Sequence, residues 1–273
     1  MQLITHYQNE FLAFMNKHLT EREPKNLYDP IHYILRVGGK RLRPTLTMLS
    51  ADIFGADYHK ALYAAVAVEI FHNFSLVHDD IMDQAPLRRG QPTVHTKWNL
   101  NTGILSGDTM LILAYQYFEQ YEPAIFQELA KIFSKTAVEV CEGQQYDVDF
   151  EQQAQVSTDQ YLKMIAYKTA VLVGAALQMG AIIAQTTEEN KQKIYDFGLA
   201  LGIAYQLQDD YLDTFGDDTF GKKIGGDILQ NKKTLLYLKA LEKGTIEQKE
   251  ELYALYTTEP KNEDEKISRV TEL

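Results

Sequence analysis

The sequence predicts an all-α fold, a large bundle of long antiparallel helices. Two observations carry this. Nearly every segment of the 273 residues has apolar side chains recurring at helical period. Strand-like alternation of β-branched residues never persists. A hydrophobic content of 45% supports a sizeable core. No Pro/Ser/Gly-rich linker, low-complexity tract or fixed-period repeat interrupts the chain, so residues 1–273 are expected to form a single domain.

Taken in order, the period predicts helices over residues 2–19, 26–37, 43–54, 58–83, 102–120, 123–150, 158–184, 189–214, 232–243, 246–257 and from 262 onward. The first, MQLITHYQNEFLAFMNKHL, is amphipathic. It lacks the basic start and continuous apolar stretch of a signal peptide. Gly38-Gly39 ends the second helix, and Pro44 suits the first turn of the third. The fourth has neither Gly nor Pro between Ala61 and Val77 and is apolar on nearly every face, as a helix buried on most sides must be. Pro123 opens the sixth, Ser157-Thr158-Asp159 precedes the seventh, and Thr187 with Glu188 and Glu189 precedes the eighth. The longest apolar run, Ala170 to Ala184, contains Gln178 and is too short to span a bilayer, so no membrane insertion is expected.

A net charge of −11 argues against a nucleic-acid partner but leaves anionic small molecules open, because local basic clusters decide those. The single cysteine, Cys141, rules out an intrachain disulfide. It is expected to be a core thiol, in keeping with a cytoplasmic location.

The buried fourth helix ends in Asp79-Asp80-Ile81-Met82-Asp83. Asp is a poor helix former, and Asp79 and Asp83 lie only about 40° apart around the helix, a like-charge pair costing roughly 0.2–0.5 kcal/mol. Something cationic should offset them. The pattern returns as Asp209-Asp210-Tyr211-Leu212-Asp213, after the apolar run Phe197 to Leu207. A loop with basic residues follows each: QAPLRRGQPTVH from Gln84 to His95, and GDDTFGKKIGGDILQN from Gly216 to Asn231.

Gly38-Gly39-Lys40-Arg41-Leu42-Arg43-Pro44 places three cations beside a helix start. It reads equally as helix punctuation with solvated charge or as a diphosphate clamp. Arg88 and Arg89, adjacent on a loop, point in different directions and so suit two anions. Lys168-Thr169 interrupts an otherwise apolar helix, where a lone Lys ordinarily snorkels to solvent. Lys222-Lys223 and Lys232-Lys233 read as surface charge, and His72 and His78 as hydrogen-bonded helix residues. No HxxxH or CxxC spacing points to zinc.

Carboxylates alone favour a hard cation, and Mg²⁺ completes its shell with water and phosphate oxygens. Two Asp-rich helix ends facing each other would hold Mg²⁺ over one diphosphate, with apolar helices beneath for a hydrocarbon. This describes a prenyl diphosphate. Charge growing on the departing diphosphate would be stabilised there, and the carbocation kept from water.

GGKRLRP at 38–44, DDIMD at 79–83 with LRRG at 87–90, and DDYLD at 209–213 resemble the trans-isoprenyl diphosphate synthases, the polyprenyl synthetases, in order and spacing from about residue 30 to 240. The resemblance implies an all-α bundle around a deep central cavity, Mg²⁺ as cofactor and a homodimer. It also implies condensation of isopentenyl diphosphate with an allylic diphosphate to a short-chain product of fifteen or twenty carbons. Carried over by position, Lys40, Arg43, His72 and Arg89 resemble the isopentenyl diphosphate site. Arg88, Lys168, Thr169, Gln206, Lys222 and Lys232 resemble the allylic diphosphate site. Asp79, Asp83 and Asp209 resemble the metal ligands, and Asp80 and Asp210 stand with them, with Arg88 and Lys168, in the catalytic set. Phe74, Ser75 and Phe71, on the helix before Asp79, occupy positions associated with product length, although Phe74 and Phe71 read equally as core aromatics. The chain stops at Lys266–Leu273 inside a helical pattern, earlier than family members do, so the family's further C-terminal helices are expected to be missing.

Two other readings compete. A class I terpene cyclase shares DDxxD but would carry an Asn/Asp-rich second motif and has no use for GGKRLRP. A non-catalytic subunit of a heteromeric synthase tends to lose aspartates, and here all six remain.

Overall fold

The structure, a computed structural model, describes residues 2–153, 155–216, 224–258 and 262–273. In chain order its first helices are α1 (Gln2–His18), α2 (Lys25–Arg36), α3 (Leu42–Ile53), a 3-10 turn (Tyr58–Ala61) and α4 (Leu62–Met82). Strands β1 (Leu87–Arg88) and β2 (Gln91–Pro92) follow, then α5 (Val94–Lys97), α6 (Leu100–Phe118) and α7 (Pro123–Gln152). Next come α8 (Thr158–Ile165), a π-helical turn (Ala166–Ala170), α9 (Val171–Ile183) and α10 (Glu188–Phe215). The last are α11 (Gly226–Leu229), α12 (Leu235–Lys243), α13 (Ile246–Thr257) and α14 (Glu263–Glu272). The fold is all-α, as the periodicity predicts. Contacts group the chain into two compact units, Met1–Ala137 with Leu172–Gly198, and Val138–Val171 with Leu199–Leu273.

The first unit is built on α4. Residues 64–71 of this helix are all buried, which is the physical meaning of its all-round apolar sequence. It packs most extensively on α6, and also on α3 and α2. Phe71 of α4 and Phe118 of α6 each meet Phe133 of α7 edge-on, with ring centroids 5.1 and 5.2 Å apart, the geometry that aromatic quadrupoles favour. From α3, the Ser50 hydroxyl donates to the carbonyl of Leu177 on α9 at 2.6 Å.

The second unit has its own core of Phe150, Tyr161, Met164, Ile165, Tyr237, Leu238, Leu252 and Tyr256. Helix α8 starts with a capping box, in which Ser157 and Gln160 satisfy each other's backbone N–H groups. Gly143 of α7 lies against the π turn so closely that a Cβ there would fall 2.2 Å from the Lys168 backbone nitrogen. Only glycine permits that approach.

Four sequence expectations about the helices and their surroundings need correction. The Gln84–His95 loop contains a two-residue β-hairpin and the short helix α5. The uninterrupted helix expected over 158–184 contains the π turn, which shifts the helical phase at Lys168 and Thr169. Cys141 is exposed rather than a core thiol, because α7 turns that face outward. The run Ala170–Ala184 belongs to a longer apolar stretch: Thr158–Ile183, like Tyr58–Met82, is long and apolar enough to cross a membrane. Each of these stretches is 72% buried inside the protein, as core helices are.

Candidate active site

In the first unit, α4 delivers the first acidic motif to its own C-terminal end. Asp79 is half-buried, Asp83 is exposed at the C-cap, and Asp80 between them is 1% exposed. The hairpin explains Asp80. Its turn has Arg89 at φ +53° and Gly90 at φ +73°, the two positive values of a type I′ turn. This turn carries Arg88 back to Asp80. The Arg88 Nε donates to both carboxylate oxygens at 2.9 Å, and its Nη2 lies 2.7 Å from Oδ1. Burial pushes the Asp80 carboxyl up, and Arg88 partly offsets that.

Arg89 points elsewhere, as adjacent residues on such a turn must. Its guanidinium donates to the Gly38 carbonyl and lies over Gly39, where a Cβ would meet Nη1 at 2.6 Å. Gly38 and Gly39 have φ +98° and +129°, which side chains rarely adopt, so both glycines are dictated by the backbone and Gly39 also by Arg89. Lys40 is exposed. Arg43 is the second residue of α3, and its Nη1 is 3.3 Å from His72 Nε2 on α4. Desolvation, then the charges of Arg43, Arg89, Arg88 and Arg41, push the His72 imidazole well below its usual range. His72 is therefore a neutral acceptor toward Arg43, inside a strongly positive pocket. The structure thus brings Arg43, His72, Arg88 and Arg89 together. Arg41, counted with the cations of GGKRLRP, does not join them at the surface. It is buried, paired with Glu69 and donating to the Leu35 carbonyl.

Phe74 and Phe71 are both buried, with ring centroids 5.5 Å apart. Phe74 also meets the His78 ring at 4.8 Å, and His78 Nε2 lies 3.3 Å from the Ile104 carbonyl of α6, so His78 is a packing residue. The Ser75 hydroxyl donates to the His72 carbonyl at 2.9 Å.

In the second unit, α10 carries the second motif and repeats the division of labour at its first two positions. Asp209 is half-buried, whereas Asp210 is 5% exposed and held from two sides. The Tyr161 hydroxyl donates to its Oδ2, and Gln206 Nε2 donates to its Oδ1 at 3.0 Å. Thr169 Oγ1 donates to Gln206 Oε1 at 3.1 Å, which fixes that amide's orientation. Lys168, beside Thr169 on the π turn, pairs with Asp147 of α7 at 2.5 Å. The third aspartates differ. Asp213 is buried, and its carboxylate accepts from the Asp227 N–H at 2.9 Å, tying α10 to the start of α11. Lys232 stands 3.9 Å from Asp227. Lys233, expected at the surface, instead donates to the Phe150 carbonyl at 2.5 Å near the end of α7. Lys222 lies outside the described residues.

Asp227 carries the clearest electrostatic signal. Burial, together with Asp213, Asp210 and Asp209, pushes its carboxyl up to about 6 against the pull of Lys232. A group raised above its unfolded value contributes stability below that value, and loses it as pH rises through the folded one. Asp227→Asn is therefore expected to raise stability by roughly 1–3 kcal/mol at pH 8 and to change it little near pH 4. Denaturant unfolding at the two pH values checks this, and equal effects at both would refute it.

Among the described residues no three His, Cys, Asp or Glu side chains form a ready-made metal cage. The donors still fit Mg²⁺: they are carboxylate oxygens alone, one half-buried at each motif, with surplus negative charge around Asp227. A cation that keeps several waters and takes phosphate oxygens requires no more. Four important residues were not singled out from sequence. Tyr161 and Asp147 gave no signal. Glu69 was visible as the one acid inside an apolar run, and Asp227 as one of three acids in the second loop.

In this all-α fold α4 and α10 each carry an aspartate motif near the C-terminal end, buttressed at its second aspartate. The polyprenyl synthetase family model matches residues 24–273. The chain is 43% identical to a geranylgeranyl pyrophosphate synthase of Geoglobus acetivorans, over 83% of this chain and 72% of that one. It is 40% identical to a geranylfarnesyl diphosphate synthase of Natronomonas pharaonis, over 84% and 73%. A crystal structure of a geranylgeranyl pyrophosphate synthase superposes with a TM-score of 0.95 at 54% identity, covering 98% of this chain and 84% of that one. The chain belongs to the polyprenyl synthetase family, and it is a short-chain prenyltransferase.

Proposed function

We propose that this enzyme adds isopentenyl diphosphate to an allylic diphosphate, head to tail, and stops at a twenty-carbon prenyl diphosphate. The pocket of Arg43, His72, Arg88 and Arg89 carries this reading, because it is built for an anion and stands beside the first acidic motif. Lys40, Arg43, His72 and Arg89 bind isopentenyl diphosphate. Arg88, Lys168, Thr169, Gln206 and Lys232 serve the allylic diphosphate. Asp79, Asp83 and Asp209 are the residues that would hold Mg²⁺. When bound, the metal supplies Lewis-acid stabilisation of charge on the leaving diphosphate. The chain's part is to orient: Arg88 fixes Asp80, and Gln206 with Tyr161 fixes Asp210, so the neighbouring aspartates are presented in one geometry. No nucleophilic Ser, Cys or Lys is required. We place the enzyme in the cytoplasm as a homodimer, for which the exposed aliphatic residues of α6, Ile104, Leu105 and Ile112, offer an apolar surface.

The division of basic residues is testable by steady-state kinetics. Lys40→Ala, Arg43→Ala and His72→Ala should raise KM for isopentenyl diphosphate about tenfold or more, with a smaller effect on the allylic primer. Lys168→Ala and Lys232→Ala should do the reverse. Equal shifts for both substrates would overturn the assignment.

For product length we assign the floor to Phe74, whose ring is braced by Phe71 and His78. Phe74→Ala should shift the product toward chains longer than twenty carbons with little change in primer KM. The substitution also costs about 3–5 kcal/mol of core packing, so products are analysed at a temperature where the variant remains folded. An unchanged product distribution from folded protein would place the floor elsewhere.

A further inference from the structure

Glu69 lies one turn before His72 on α4, 3% exposed, and none of the roles assigned above uses it. A carboxylate so buried demands a partner, and it has two. Arg41, 7% exposed, directs Nη1 to Glu69 Oε1 and Nη2 to the Leu35 carbonyl at the end of α2. The Asn73 amide donates to the same Glu69 oxygen at 2.9 Å, and to the Glu69 carbonyl at 2.8 Å. Arg41 itself sits at φ +47°, a left-handed conformation that a residue with a side chain adopts at a cost. Gly38 and Gly39, separated from it by Lys40, also have positive φ. The loop therefore takes an improbable path, anchored at its centre by one ion pair to α4. Lys40 precedes the anchor, and Arg43, 3.3 Å from His72, follows it.

We propose that Glu69 is a positioning residue: through Arg41 it clamps the Gly38–Arg43 loop onto α4, so that Lys40, Arg43 and His72 present one preorganised isopentenyl diphosphate site. Neither Glu69 nor Arg41 touches substrate. The proposal deepens the function proposed above and rests on it. It separates the three cations of GGKRLRP by task, with two for the ligand and the middle one for the scaffold. A buried ion pair is weak evidence for stability, since apolar residues of similar volume often replace one without loss. Its value here is geometric.

The test uses the whole enzyme with the double variant Arg41→Met/Glu69→Met, together with Glu69→Asp. Each is compared with wild type by thermal unfolding, by KM for both substrates and by product length. The double variant should unfold near the wild-type temperature. It should raise KM for isopentenyl diphosphate about tenfold or more while leaving primer KM and product length unchanged. Wild-type KM in a folded double variant would show that the pair only stabilises, and equal rises in both KM values would show general damage. Either result overturns the proposal. If the double variant fails to fold, Glu69→Asp decides: it keeps the charge but shortens the reach, and an unchanged isopentenyl diphosphate KM would overturn the clamp. Lys40→Ala and Arg43→Ala run alongside. If those two leave the isopentenyl diphosphate KM unmoved, the site assignment itself fails. If they raise it and the clamp variants do not, only the clamp fails.

Discussion

Asp79→Ala and Asp209→Ala are each expected to lower kcat by about a thousandfold, with the fold retained. The fold should survive because both side chains are only half-buried, in the last two turns of α4 and α10. Activity should not survive, because each substitution deletes charge that acts chiefly as the diphosphate departs. A loss in kcat with modest change in KM is the signature of an interaction made in the transition state. Chelation by EDTA should abolish turnover of the wild-type enzyme, and added Mg²⁺ should restore it. Circular dichroism separates loss of chemistry from loss of fold. Full activity in EDTA, or near-normal kcat in either variant, would remove the metal from the account.

The second large effect falls on Arg88. Asp80 is 1% exposed, and Arg88 is the residue that donates to both of its oxygens. Arg88→Ala leaves a buried carboxylate without that guanidinium, at a cost of about 3 kcal/mol, the lower end for a broken buried pair because Arg88 itself is partly exposed. The hairpin would also lose its tether to α4, so kcat should fall with stability. Arg88→Lys should recover part of the stability through its charge but little of the bidentate geometry. A denaturant midpoint unchanged in Arg88→Ala would show that the pair carries no such burden.

The helices were legible in the sequence because their period is set by burial, and α4 in particular declared itself by its apolar faces. The acidic motifs and GGKRLRP were legible because charge at the end of a buried helix conflicts with local preference. What was not legible depended on contacts distant in sequence or on backbone geometry. LRRG reads as a loop, yet Arg89 and Gly90 form a type I′ turn with arginine at a position that ordinarily takes Asn or Gly. Lys168 and Thr169 read as an interruption of a helix, and the π turn that re-aims them leaves no periodic trace. Asp213 matches Asp83 in sequence but is committed to holding α11, a role fixed only by Gly225 to Asp227 folding back onto it. Arg41 and Lys40 are neighbours of the same charge, and only burial against Glu69 tells them apart.

The most direct test is to supply isopentenyl diphosphate and an allylic primer, measure inorganic diphosphate released and identify the prenyl product. The account predicts Mg²⁺-dependent release of one diphosphate for each isoprene unit added, ending at a twenty-carbon prenyl diphosphate, and no release when isopentenyl diphosphate is withheld. Release from the allylic primer alone would indicate a cyclase, and no release under any condition would indicate a non-catalytic subunit. Either result would contradict it.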